Sequence, residues 1–206
     1  MIERMVLRRS PFVAAGVAFG LACMVGCEPA QPSADGAASE ASLAVIYVGT
    51  VEATDIRVGL VVESGNAALF FCGGARTLSS TRWFRGASEP QRLSLTATTG
   101  ATANGAMTSA SASGTVRLAS NGPELKWSAS RVAAGSPAGL YEYQALDGLG
   151  GVVVTDADSA QGAFVPKSLA APVSQIIVFN PIVPTEERFK VSVDSREIFV
   201  TRVHPR

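Results

Sequence analysis

The feature that most constrains this chain is the alternation of apolar and polar residues within short segments. Residues 92–97 (RLSLTA), 125–130 (LKWSAS) and 189–193 (FKVSV) carry an apolar or small side chain at every second position. Successive side chains of a β-strand point to opposite faces, so a period of two is typical of antiparallel strands with one buried and one solvated face. The sequence therefore predicts antiparallel β-sheet.

Turn residues between the apolar segments predict hairpins. Four dipeptides have the composition of tight hairpin turns: Ser64-Gly65, Asn104-Gly105, Asn121-Gly122 and Asp147-Gly148. Four runs are apolar throughout, as in strands covered on both faces: 58–62, 67–71, 152–154 and 176–179. We predict an all-β fold, a single antiparallel β-barrel or β-sandwich built from hairpins, with little helix apart from a signal peptide.

The last segment, residues 168–206, has a different pattern. Pro172, Pro181 and Pro184 interrupt it before two further strands, at 189–193 and 198–203, joined through Asp194-Ser195-Arg196. Proline has no N–H to donate to a ladder, so these prolines are expected in loops or on edges. We expect the segment to close a barrel or to form an edge hairpin.

The N-terminus has the pattern of an export signal. Arg4, Arg8 and Arg9 precede an apolar stretch over residues 12–26, which is short for a transmembrane helix. The stretch ends in Met24-Val25-Gly26-Cys27, which resembles the lipobox of bacterial lipoproteins, with methionine where leucine is usual. This resemblance implies that residues 1–26 are a cleaved signal peptide. It also implies that Cys27 carries diacylglycerol and a further acyl chain such as palmitate, anchoring the chain to a membrane.

The residues after Cys27 predict a tether and a location. Residues 28–42 (EPAQPSADGAASEAS) lack apolar periodicity, so 27–42 is expected to be the lipidated cysteine and a flexible tether, and 43–206 the β domain. Glu28 follows the cysteine where aspartate would signal retention, and the lipoprotein resemblance then implies the outer membrane of the cell envelope. Plain secretion or a periplasmic location is the alternative.

Composition excludes several classes of protein. Hydrophobic residues make up 47% of the chain and charged residues 17%, a ratio too apolar for disorder. The formal net charge is zero, so no strong field favours nucleic acid as a partner. With Cys23 removed and Cys27 acylated, Cys72 is the remaining thiol and has no intramolecular disulfide partner.

Few residues point to catalysis, a cofactor or a metal. His204 lies third from the end, a poor position for the rigid histidine of a triad. Cys72 before two glycines is interpreted as a buried apolar residue, with a reactive thiol as the alternative. Asp156 and Asp158 are spaced like calcium ligands, but without the rest of that motif they are interpreted as a hairpin turn. We therefore expect no cofactor and no metal.

Two sets of residues are candidates for binding or chemistry. Arg82, Trp83, Phe84 and Arg85 form a possible recognition patch, because tryptophan and arginine are enriched in binding hot spots. The leading hypothesis is a non-catalytic binding or structural module of the envelope that recognises a protein or glycan. One alternative is a lipocalin-like carrier of an apolar ligand. The other is a small hydrolase that uses carboxylates such as Glu52, Asp55 or Glu63.

Overall fold

The computed structural model describes residues 44–168, 170–184 and 187–205, so the expected signal peptide, Cys27 and the expected tether lie outside the described residues. The described residues belong to one compact unit. Its elements are β1 (Val45–Val51), β2 (Arg57–Glu63), β3 (Asn66–Cys72), a 3-10 turn (Leu78–Ser80), β4 (Arg82–Ala87), β5 (Arg92–Thr96), β6 (Thr102–Met107), β7 (Ser111–Arg117), β8 (Leu125–Arg131), β9 (Gly139–Gln144), β10 (Gly148–Asp156), β11 (Ser159–Pro166), β12 (Ser174–Val178), β13 (Arg188–Val193) and β14 (Arg196–Arg202). The all-β class and the construction from hairpins are confirmed.

The strands form two sheets where the sequence predicted one barrel or sandwich. The first, here called the large sheet, has the order β4-β3-β2-β1-β8-β7-β6-β5. All of its neighbours are antiparallel, and its two end strands, β4 and β5, are consecutive in the chain and joined by a short connection in which Glu89 forms a bridge with Arg92. Its concave face is filled by one apolar cluster that includes Leu60, Phe71 and Trp127.

The second sheet is a closed barrel of six strands in the order β10-β11-β12-β13-β14-β9. The β13–β14 hairpin completes it, because Thr201 on β14 pairs with Glu142 on β9. Strands β13 and β14, which belong to the segment after residue 168, therefore close the barrel on β9. Tyr141, Phe189 and Val191 belong to the apolar cluster inside the barrel.

A third apolar layer joins the two sheets. It contains Val61 and Phe70 from the large sheet and Leu140 and Val153 from the barrel, all fully buried. Strands β2 and β3 thus bury both faces, one inside the large sheet and one against the barrel. This explains why the runs at 58–62, 67–71 and 152–154 are apolar throughout.

Two details of the sequence prediction need correction. Asn104-Gly105 lies inside β6 and makes no turn, and a side chain at Gly105 would come within 2.7 Å of the Trp127 ring. The run at 176–179 is covered on one face only, since Ile176 is buried while Ile177 is 61% exposed. The turns at Ser64-Gly65 and Asp194-Ser195 do form, each with two residues at positive φ.

Candidate functional site

The largest concentration of ionisable side chains lines a cleft where the large sheet meets the barrel. The cleft has a volume of about 690 Å³. One side of the cleft is formed by β4 of the large sheet. The other side is formed by β9 and β14, together with the residue before β13 and the segment after β14. The lining residues are Arg85, Glu142, Tyr143, Gln144, Glu187, Phe199, Thr201, Arg202 and His204.

An ion pair across the two sheets forms part of the wall of the cleft. Arg85 of β4 donates from Nη2 to Oε2 of Glu142 on β9. The Glu142 side chain is only 15% exposed, so the pair is partly shielded from water. The Arg85 guanidinium also lies 4.8 Å from the centre of the Trp83 ring, which holds it against the sheet.

Arg202 lies at the barrel side of the cleft and is held by buried partners. Its Nη2 donates to the Tyr141 hydroxyl at 2.8 Å and to the Ser136 carbonyl oxygen at 3.1 Å. Burial raises the pKa of Tyr141, and the positive charge of Arg202 partly offsets this. The buried Nε of Arg202 has no hydrogen-bond partner among the described residues. The two hydrogen bonds of Nη2 hold the Arg202 guanidinium in a fixed position.

His204 lies between two carboxylates from different parts of the fold. Its Nδ1 is 3.3 Å from Oε2 of Glu63 on β2, and its Nε2 is 3.4 Å from Oε2 of Glu187 before β13. Val203 beside it is fully buried between the sheets and donates its backbone N–H to Leu140. The contacts of the imidazole are therefore carboxylates that hold the C-terminal segment, and no Ser or Cys nucleophile is among them.

The recognition patch expected at residues 82–85 does not form one surface. Phe84 points into the core of the large sheet and is 1% exposed. Trp83 points the other way and stacks on Phe70 at 4.4 Å, in the layer between the sheets. Arg82 bonds the carbonyl oxygens of the preceding turn. Of the four, only Arg85 lines the cleft, because alternation along β4 sends Arg82 and Phe84 to the opposite face and Trp83 is held against Phe70.

The three acids considered for hydrolysis lie in different surroundings. Glu52 lines a separate groove with Lys126. Asp55 accepts hydrogen bonds from the Thr77 hydroxyl and the Arg76 backbone, which hold its pKa below the ordinary value. Asp55 precedes β2, whereas Glu63 ends that strand, which is roughly 20 Å long at 3.3 Å per residue, and there Glu63 meets His204.

The remaining candidates have structural surroundings. Burial raises the pKa of the Cys72 thiol to about 12, as expected of an unreactive core residue. Asp156 and Asp158 flank the β10–β11 turn, where the Asp158 N–H bonds Oδ1 of Asp156. Within the described ranges, no group of three or more His, Cys, Asp or Glu residues is arranged to hold a metal ion.

A second feature, missed by the sequence analysis, is an exposed apolar surface on the outside of the barrel. Among the described residues, five large apolar side chains are exposed, and four of them lie on or beside β12 and β14: Ile177, Phe179, Val183 and Phe199. A groove of about 430 Å³ is lined by Phe179 and Phe199. Phe199 also borders the cleft. The alternation in FKVSV predicts that Lys190 and Ser192 point outward, but the apolar run Ile198-Phe199-Val200 does not show which of its residues is exposed. Neither pattern can show that outward residues of separate strands become neighbours.

The described residues contain no helix with the length and hydropathy needed to span a bilayer. No protein-family model, curated protein or solved structure matches the chain. The geometry of the cleft and of the exposed surface therefore carries the functional argument.

Proposed function

We propose that this protein is a lipoprotein of the bacterial cell envelope, anchored through Cys27, whose β unit is a non-catalytic binding module. The export signal and the lipobox-like Met24-Val25-Gly26-Cys27 support the anchor. β1 begins at Val45, soon after the flexible composition of residues 28–42 ends. Such a tether spans about 20 Å as a random coil, which would leave the unit close to the membrane, with the outer membrane favoured by Glu28.

The observation that carries the binding proposal is the mixed charge of the cleft between the sheets. Arg85, Arg202 and His204 present cationic or hydrogen-donating groups, and Glu142 and Glu187 present carboxylates, all around one cleft. A ligand that carries both carboxylate and amino groups matches this lining. Peptide-substituted cell-wall glycan has that chemistry, and envelope protein segments share part of it.

The two alternative functions have less support. A lipocalin-like carrier needs an apolar chamber, whereas side chains such as Tyr141, Val152 and Phe189 fill the barrel. A carboxylate-dependent hydrolase needs two acids on either side of one bond. Asp55 and Glu63 lie at opposite ends of β2, and the acids beside His204 are both engaged with its ring.

Metabolic labelling with a fatty-acid probe tests the anchor. We expect the wild-type chain to incorporate the probe and Cys27→Ala to lose it, because the thiol is the acceptor. Cys23→Ala is the matched control and should keep the label. Label retained in Cys27→Ala contradicts the proposed anchoring site.

Calorimetric titration with soluble peptide-bearing cell-wall fragments tests the ligand class. Removing one charged hydrogen-bonding group should weaken binding about tenfold, so Arg85→Ala is expected to show that loss. Arg117→Ala is the control, since Arg117 pairs with Glu124 on the exposed surface, away from the cleft. Thermal unfolding of each variant verifies that the fold is retained. Failure of the wild type to bind, or equal losses in both variants, contradicts the proposal.

A further inference from the structure

The exposed apolar surface of the barrel is a second interaction surface, distinct in chemistry from the cleft. We call it the aromatic face and define it as Ile177, Phe179, Val183 and Phe199 with the cations Arg188 and Lys190. The four apolar side chains are between 48% and 69% exposed. Contiguous exposed apolar surface of this kind marks contact with another molecule or a membrane.

Phe179, Val183 and Phe199 line one groove, and strand pairing places Lys190 and Ile177 on the same outward side of the barrel. Lys190 pairs with Phe199 across β13 and β14, and Ile177 pairs with Ser192 across β12 and β13. The residues that alternate with them, including Ile176 and Val191, fill the barrel. The strands that carry Ile177 and Phe199 are therefore held in place, because neighbouring residues on those strands, Ile176 and Val200, are buried in the barrel.

Two cations lie close to the ring of Phe199. The Arg188 guanidinium lies 5.2 Å and the Lys190 ammonium 5.8 Å from the centre of the Phe199 ring. Lys190 also contacts Glu197 at 3.2 Å, but both side chains are more than half exposed, so water weakens that pair. Apolar side chains with cations at their border match the boundary of a bilayer, where acyl chains adjoin phosphates.

The proposed anchor makes a membrane the surface that is always within reach. The tether, residues 28–42, spans about 20 Å as a random coil and so keeps the β unit at high effective concentration beside the lipid. Resting on the anchor proposed above, we infer that the aromatic face lies against the phospholipid surface, with its apolar side chains among the acyl chains and Arg188 and Lys190 at the phosphates.

Site-specific fluorescence of the full lipidated chain in vesicles tests this inference. Ile177→Cys, on the face, and Lys126→Cys, on an exposed strand of the large sheet, are each labelled with an environment-sensitive dye, while buried Cys72 stays unlabelled in the folded protein. The vesicles contain phosphatidylcholine with or without phosphatidylglycerol, and either ordinary or brominated acyl chains. Flotation of the vesicles measures anchoring separately.

We expect the dye at position 177 to shift to shorter wavelength and to be quenched severalfold more by brominated lipid than the dye at position 126. Phe179→Ser with Phe199→Ser, at two exposed positions, should abolish that difference while leaving flotation unchanged. Equal responses at the two positions in vesicles that float overturn the inference and leave the anchor standing. A wavelength shift without quenching shows that protein, such as a second copy of the chain, covers the face, and also overturns it. A chain that does not float overturns both proposals.

Discussion

The layer that joins the large sheet to the barrel depends on the absence of a side chain at Gly151. A Cβ there would lie 2.5 Å from Cε1 of Phe70 and 2.7 Å from Cζ2 of Trp83, about 1 Å inside ordinary carbon contact. Phe70 is fully buried and stacked on Trp83, so neither ring can move without disturbing the layer. Gly151→Ala should therefore lower the free energy of unfolding by about 1–3 kcal/mol, the usual cost of overpacking.

Equilibrium unfolding of the full chain, followed by tryptophan fluorescence, measures this cost. For a chain of this size it corresponds to a melting temperature lower by roughly 2–12 °C. Gly150→Ala is the matched control on the same strand. The nearest atom to its Cβ is the flexible end of Ile176 at 3.0 Å, so its effect should be small.

A second substitution separates the aromatic contact from other effects. Phe70→Leu removes the ring atoms that a methyl group at 151 would meet, at the cost of a cavity. In combination with Gly151→Ala it should be less destabilising than the sum of the two single changes, because the clash with the Phe70 ring disappears and only that with Trp83 remains. If Gly151→Ala is as mild as Gly150→Ala, or if the double change is simply additive, the reasoning about this layer is wrong.

Three further predictions concern other sites. Burial raises the pKa of Cys72 from 9.0 to about 12. Between pH 9 and 12 the thiol ionises only in the unfolded chain, so the free energy of unfolding should fall over this range, and it should fall less in Cys72→Ala. In the native chain, peptide-resolved alkylation should find this thiol unmodified. Hydrogen bonds from Thr77 and Arg76 lower the pKa of Asp55, so the ionised carboxylate stabilises the fold above pH 3.8 and this stabilisation should be lost as the pH falls further. In Asp55→Asn the free energy of unfolding should therefore depend less on pH in the acid range. Gly65→Ala should cost about 1 kcal/mol in urea unfolding, since φ is +76° in a turn with open space around it; no loss would contradict this reading of the turn.

Much of the local structure could be predicted from sequence. The alternation at 92–97, 125–130 and 189–193 corresponds to β5, β8 and β13. Ser64-Gly65 and Asp194-Ser195 form turns because their residues adopt positive φ. These features depend on nearest neighbours, so a reading of consecutive residues detects them.

The candidate site could not be predicted in the same way. Its contacts join residues far apart in the chain, such as Glu63 with His204, 141 positions later. The residues around His204 in the sequence do not indicate that it contacts Glu63 on a strand of the large sheet. The sequence also drew attention to residues 82–85, where a single strand sends Phe84 and Arg85 to opposite sides.

Sequence alone determined that this chain folds into antiparallel strands with tight hairpins, because side-chain period and turn conformation are properties of adjacent residues. Tertiary structure alone decided that the strands form two sheets, that β14 closes the barrel on β9, and that the outward side chains Phe179 and Phe199 become neighbours. Alternation of apolar and polar residues predicts that one face of a strand is buried. What buries it depends on pairings between distant segments, which are settled only when the whole chain packs.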